Sequence, residues 1–144
     1  MLVNNLPCLL WIQAFVSVAL VGLIWTIQLV HYPLFALVGE EKFTLYQHDH
    51  MKRITWVVGP LMLVEIVAAT LIVLAIPSDV YAWIGIALLG GIWLSTVFLQ
   101  VPYHTILTRS FNADAHRKLV QTNWIRTSAW TLRGILVLVM LSGA

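Results

Sequence analysis

Residues 54–101 read ITWVVGPLMLVEIVAATLIVLAIPSDVYAWIGIALLGGIWLSTVFLQV, and this stretch decides the fold. It holds two apolar runs, 54–76 and 80–101, parted only by Pro77, Ser78 and Asp79. A helix needs roughly 20 apolar residues to cross the hydrocarbon core of a bilayer, and each run supplies that many. The three-residue break is a tight turn, so the chain folds straight back. Glu65 is the one charge inside the two runs. Two more apolar runs lie outward, at about 8–30 and about 124–141. Of the 144 residues, 60% are apolar and 10% are charged, with a mean hydropathy of +0.90. Soluble domains are nearer a quarter charged. The sequence therefore predicts an all-α, integral membrane four-helix bundle, with residues 1–144 forming a single polytopic domain.

The connections are read next. Nothing basic precedes the first run, which is longer than a signal-peptide core, so it is expected to stay in the membrane. Residues 40–53 lack Gly and Pro, which predicts that the second helix begins outside the bilayer near Glu40, with a kink at Pro60. Asn112 or Asp114 is an N-cap for a fourth helix that also begins in water. Pro33 favours an extended Tyr32 and hence a helix end near His31. Lys42, Lys52 and Arg53 lie in the first connection and Arg109, Arg117 and Lys118 in the third, while the two ends and the short turn hold none. The positive-inside rule then places both termini outside and both long connections in the cytoplasm, with helices two to four extended into it. Trp11 and Trp83 fall at the outer interface, and Trp56 and Trp124 at the inner one. A bacterial inner membrane is the expected location. A net charge of +2 without a basic run argues against nucleic acid as a partner. Cys8, the one cysteine, rules out an intrachain disulfide.

The last helix carries the sharpest pattern. His116, Asn123, Trp130 and Val137 recur every seven residues, as do Leu119, Arg126, Arg133 and Met140, making one seam. Arg126 lies near the cytoplasmic boundary. Arg133 lies near mid-span, where even the lenient insertion scale charges about 2.5–3.5 kcal/mol for arginine. It must face inward and meet an acid, and Glu65 is the one acid at that depth. Gln28 with His31, Gln100 with His104, and Asn123 with Arg126 put paired polar side chains on three helices near the same boundary. The expected construction is an inward-opening polar pocket, lined by these groups and Trp130 and floored by Glu65 and Arg133. Ala87, Gly91 and Ser95 form a small-residue stripe for helix packing.

All five histidines collect on the cytoplasmic side. Polar connections attract histidine in any case, so the clustering has a bland reading beside a functional one. On a helix, His48 and His50 point about 200° apart, so one of them faces inward, and His50 has the better register. His31, His50 and His104 from three helices make a composite candidate for copper, iron or zinc, or for haem axial ligation. No HExxH, CxxCH, glycine elbow or phosphate loop accompanies them.

Val101-Pro102-Tyr103-His104-Thr105-Ile106-Leu107 is similar to the Val-Pro-x-Asn-x-x-Leu stretch of the anthrone oxygenase-like four-helix membrane proteins. Asn123-Trp124-Ile125-Arg126-Thr127 resembles that family's Asn-x-x-Arg-Thr segment. The likeness is best over roughly the last 45 residues and elsewhere is one of layout. It implies a four-helix membrane bundle and, by its few fungal members with a role, oxidation of a polycyclic anthrone to a quinone by dioxygen. His104 stands where the family more often has Asn.

Three classes of function remain in view. The first is a membrane oxidoreductase or oxygenase acting on a lipophilic aromatic or quinone-like molecule, in which His104 or His50 is the base and Arg126 with Asn123 holds the developing oxyanion. The second is a non-catalytic or haem/metal-binding subunit, with a homo-oligomer or a larger membrane complex as partner. A transporter ranks last, because four spans show no evident internal repeat.

Overall fold

Two side chains open helices where the sequence places them. Asp79 closes the Pro77-Ser78 turn by accepting from the Ala82 amide (2.8 Å), and Asn112 accepts from the Ala115 amide (2.8 Å). Each satisfies an amide that the helix leaves free at its first turn. The computed structural model describes residues 3–143. Four helical rods make up the chain: α1 (Val3–Leu37), α2 (Glu40–Ala75), α3 (Val80–Leu107) and α4 (Ala113–Ser142). All four are long and apolar enough to cross a membrane, and no strand occurs among the described residues. Short connections join them up and down. α4 packs on α1 and α3, and α2 packs on the same two, so the ring of four closes.

The first rod corrects the reading of Pro33. Tyr32 is helical (φ −64°, ψ −42°), and α1 runs on to Leu37, leaving Val38 and Gly39 as the connection. Proline lacks an N–H and its ring crowds the carbonyl four residues back. The backbone absorbs this in a wider π-helical turn over Ile27–His31, just before Pro33. The same remedy recurs at Thr96–Gln100 before Pro102, and α3 continues to Leu107, past the end of its apolar run near residue 101, in line with the expected extension of that helix. Inserted π turns rotate the following residues relative to an unbroken helix, and they often mark functional sites. Pro60 sits inside an α2 that is helical throughout from Glu40, the expected start.

Packing is inverted relative to a soluble protein. Gln13, Ser17, Gln28, Gln47, Glu65, Asn123, Arg126 and Arg133 are buried, whereas Trp11, Phe15, Trp56, Leu74, Leu94 and Phe98 are exposed. Such an apolar exterior on every side suits lipid as solvent. Inside, three apolar layers stack along the axis, centred on Phe35 and Leu119, on Ile92 and Trp130, and on Leu10 and Ile72. The expected small-residue stripe does not pack inside the bundle, because Ala87 and Gly91 are exposed and only Ser95 is buried. Close approach occurs instead at Gly85 and Gly134. A Cβ there would lie 3.1 Å from Arg133 Nη1 and 3.0 Å from Val21 Cγ2, respectively.

Candidate functional site

The two π turns turn Tyr32 inward from α1, and Gln100 and His104 inward from α3. α2 adds Gln47 and His50 three residues apart, on one face, and α4 adds Arg126 from its seam. These residues meet around Phe35, which is fully buried and whose ring centroid lies 5.1 Å from those of both His31 and His50. His104 is held at both nitrogens: Nε2 is 3.0 Å from Tyr32 Oη and Nδ1 is 2.8 Å from Gln47 Nε2. An amide nitrogen only donates, so this arrangement makes Nδ1 the acceptor and Nε2–H the donor to Tyr32 Oη. The phenol hydrogen of Tyr32 is then free to reach outward. His31 Nε2 and His50 Nδ1 are 2.8 Å apart, and the His50 and His104 ring centroids are 5.6 Å apart.

A cavity of about 330 Å³ adjoins this group. Its polar lining is Tyr32, His50, Gln100, His104 and Arg126 with Thr55 and Thr96, and its apolar wall includes Ile54, Val58, Met62 and Trp93. Exposed Leu63 and Val101 also line it, so it opens between α2 and α3 toward the apolar exterior. That size lies at the lower end for pockets that hold a drug-sized ligand.

Arg126 is the unusual member. It is 6% exposed, and among the described residues neither a carboxylate nor any hydrogen-bond acceptor meets its guanidinium. Its one evident compensation is the Trp130 ring, whose centroid lies 5.3 Å from Cζ. Two more polar atoms of the lining are buried without partners: Trp93 Nε1, a donor, and Gln100 Oε1, an acceptor. Buried polar groups are nearly always satisfied, so this concentration calls for a ligand or water.

The remaining expected site residues sort into two other groups. Glu65 and Arg133 do form an ion pair (2.8 Å), but it is not the floor of the cavity, and neither residue belongs to the lining. Glu65 also accepts from Ser17 Oγ (2.8 Å) and Trp130 Nε1 (3.1 Å), and Arg133 donates to the Gly85 carbonyl. Charges buried this deep satisfy each other and leave nothing for a ligand. Trp130 is likewise committed, its face to Arg126 and its N–H to Glu65. Gln28 and Asn123 are turned to each other, with Asn123 Nδ2 donating to Gln28 Oε1 (2.8 Å), and stand outside the lining. Asn123 therefore does not share an oxyanion with Arg126.

The composite metal site also needs correction. His31, His50 and His104 come together, yet no group of three His, Cys, Asp or Glu among the described residues is disposed to hold a metal ion. Their nitrogens point at one another, at Tyr32 and at Gln47 instead of at a common centre, and among the described residues His50, which lines the cavity, has no partner at Nε2. The donor set does not fit copper, iron or zinc, nor a bis-histidine haem.

Sequence reasoning missed Tyr32, Gln47, Phe35 and Trp93. Gln47 was detectable, since it precedes His50 by three residues and so shares its face. Tyr32 was hidden behind the reading of Pro33. Comparison with protein-family models, with curated proteins and with solved structures finds no match for the chain.

Proposed function

We propose that the chain is a small integral membrane oxidoreductase that takes a lipophilic aromatic with an acidic hydroxyl or enolisable carbonyl into the cavity between α2 and α3. The observation that carries this reading is Arg126, a buried guanidinium without an acid, on the wall of a largely apolar chamber. A fixed cation in a water-poor site stabilises an oxyanion far more than it stabilises a neutral ligand. The lateral mouth admits a molecule dissolved in lipid. Tyr32, oriented by His104 and Gln47, adds a hydroxyl donor.

In this reading the bundle spans the membrane four times with both termini outside, and the site lies toward the cytoplasm. His50 takes the role of base, because its Nε2 is the ring nitrogen without a protein partner, whereas His104 is occupied on both sides. His104 acts through Tyr32. The likeness to anthrone oxygenase-like proteins supplies the reaction. The substrate loses a proton to His50, and its anion, held by Arg126, is oxidised by dioxygen. The methylene carbon becomes a carbonyl, and the second oxygen atom leaves as water.

The test is dioxygen uptake by the protein in lipid nanodiscs, with anthrones and lipophilic phenols as substrates. Uptake is expected to fall at least tenfold in Arg126→Gln and in His50→Phe. Uptake that is equal in the wild type and both variants refutes the assignment.

A further inference from the structure

His50 belongs to two chambers at once. Besides the substrate cavity, it lines a second one of about 460 Å³ between α1 and α2, which also takes in His31, Tyr46, Asp49 and Arg53. Asp49 and Arg53 are exposed and His31 is half-buried, so this second chamber opens to the surface by a polar rim. The wall between the chambers is formed by Ile27 and Ile54, which line both, and by the imidazole pair, His31 Nε2 facing His50 Nδ1 at 2.8 Å.

The geometry points to a proton relay through His50 and His31, which connects the apolar-mouthed substrate cavity to the polar chamber. The inference rests on the proposed reading of the cavity. A ligand O–H or C–H gives its proton to His50 Nε2. His50 releases the proton it carried on Nδ1 to His31 Nε2, and His31 releases the one on Nδ1 to water in the second chamber. Each ring takes one proton and gives one up, so neither is left charged, and the ligand alone has become an anion. Imidazole suits this task because its two nitrogens face opposite ways.

Charge balance favours an outlet of this kind: with the proton kept on His50 the cavity holds two cations and one anion, and with it exported Arg126 and the anion balance. Facing the pair are Tyr32, His104 and Arg126 on the cavity side, and Tyr46, Asp49 and Arg53 on the open side. A proton retained on His50 would place a second positive charge in a chamber that already holds Arg126, where low dielectric magnifies repulsion. Toward the second chamber, Asp49 and Arg53 offset each other, so a proton leaving that way meets no net positive charge. Among the described residues, no other hydrogen-bonded pair of titratable side chains joins the linings of the two chambers.

The probe is an alkyl-substituted 4-nitrophenol, whose phenolate absorbs visible light, bound to the protein in nanodiscs and compared with empty nanodiscs. A stopped-flow pH drop then follows protonation of the bound phenolate at matched occupancy. Wild type is expected to be at least tenfold faster than His31→Ala, and added imidazole is expected to restore most of the rate in that variant. His31→Gln fills the space without relaying a proton and should stay slow, so it carries the test if His31→Ala does not fold. Equal rates in wild type and variants overturn the relay and leave the cavity reading intact. A slow His31→Ala that imidazole does not restore, beside a fast His31→Gln, assigns His31 to packing and also overturns it. Failure of the wild type to bind the probe above empty nanodiscs removes the cavity reading, and the relay with it.

Discussion

Arg126 and Arg133 stand seven residues apart on one seam of α4, both buried, and replacing each by methionine should shift stability in opposite directions. Arg133 is matched by Glu65, so Arg133→Met leaves a carboxylate alone in the core, an error worth about 3–5 kcal/mol of destabilisation. Arg126 has no acid to abandon. An arginine at the centre of a span costs about 2.5–3.5 kcal/mol, and Arg126, nearer the boundary, costs less; stacking on Trp130 returns about 0.5–2 kcal/mol. Water entering the cavity offsets part of the remainder. Methionine keeps the unbranched stem and fills irregular space. Arg126→Met should therefore stabilise the ligand-free protein by up to about 1 kcal/mol.

The assay is reversible unfolding by sodium dodecyl sulfate from mixed micelles, followed by far-ultraviolet circular dichroism, because Trp130 lies beside both changes and would bias fluorescence. Adding Glu65→Leu to Arg133→Met should recover most of that variant's loss, since both charges are then gone. A destabilisation by Arg126→Met of more than about 1 kcal/mol, beyond what an ordinary surface change produces, refutes the argument. It would mean that Arg126 is held by partners of its own and does not wait for a ligand.

Three further outcomes can be measured. Gly85→Ala should destabilise by about 1–3 kcal/mol in the same assay, because the new Cβ meets Arg133 Nη1 at 3.1 Å and Leu136 Cδ2 at 3.4 Å. Gly91→Ala, with nothing within 4 Å, should lie within about 0.5 kcal/mol of wild type. Tyr32→Phe removes the hydroxyl beside His104 and should weaken binding of a lipophilic nitrophenol about tenfold, which corresponds to about 1.4 kcal/mol, as read by titration of phenolate absorbance. For topology, single cysteines introduced at Ser142 and Thr108, after replacement of exposed Cys8, should react oppositely with a membrane-impermeant maleimide in intact cells: Ser142→Cys labels and Thr108→Cys does so only after permeabilisation.

The fold was legible because its signals are summed over many residues. Four apolar runs, a tight turn at Pro77-Ser78-Asp79 and the cap at Asn112 each agree with the structure. The α4 seam was equally legible, since a seven-residue repeat reports the buried face directly, and Leu119, Asn123, Arg126, Trp130, Arg133 and Val137 are all buried. Depth alone paired Glu65 with Arg133. What failed was finer than depth. Gln28, Asn123, Gln100 and His104 lie near one boundary, but which of them face the cavity depends on helix rotation, and the π turns alter that rotation between residues 27–31 and 96–100. Gln100 and His104 do line the cavity as expected, whereas Gln28, which lies inside the first π turn, and Asn123, which is turned to Gln28, do not.

Those turns also explain why polar side chains gather at one end of an otherwise apolar bundle. Each precedes a proline, Pro33 or Pro102, and each proline adjoins a tyrosine and a histidine: His31-Tyr32 before Pro33 on α1, and Tyr103-His104 after Pro102 on α3. The order decides the outcome. On α1 the tyrosine is buried and the histidine sits at the rim of the second chamber, whereas on α3 the histidine is buried and the tyrosine is half-exposed. Tyr32 and His104 are thereby brought within 3.0 Å from helices that do not adjoin in sequence. Proline in a membrane helix frees a backbone carbonyl that must be satisfied locally, and widening the turn does so while re-aiming the next residues. The same two prolines that obscure the site in the sequence are what assemble it in the fold.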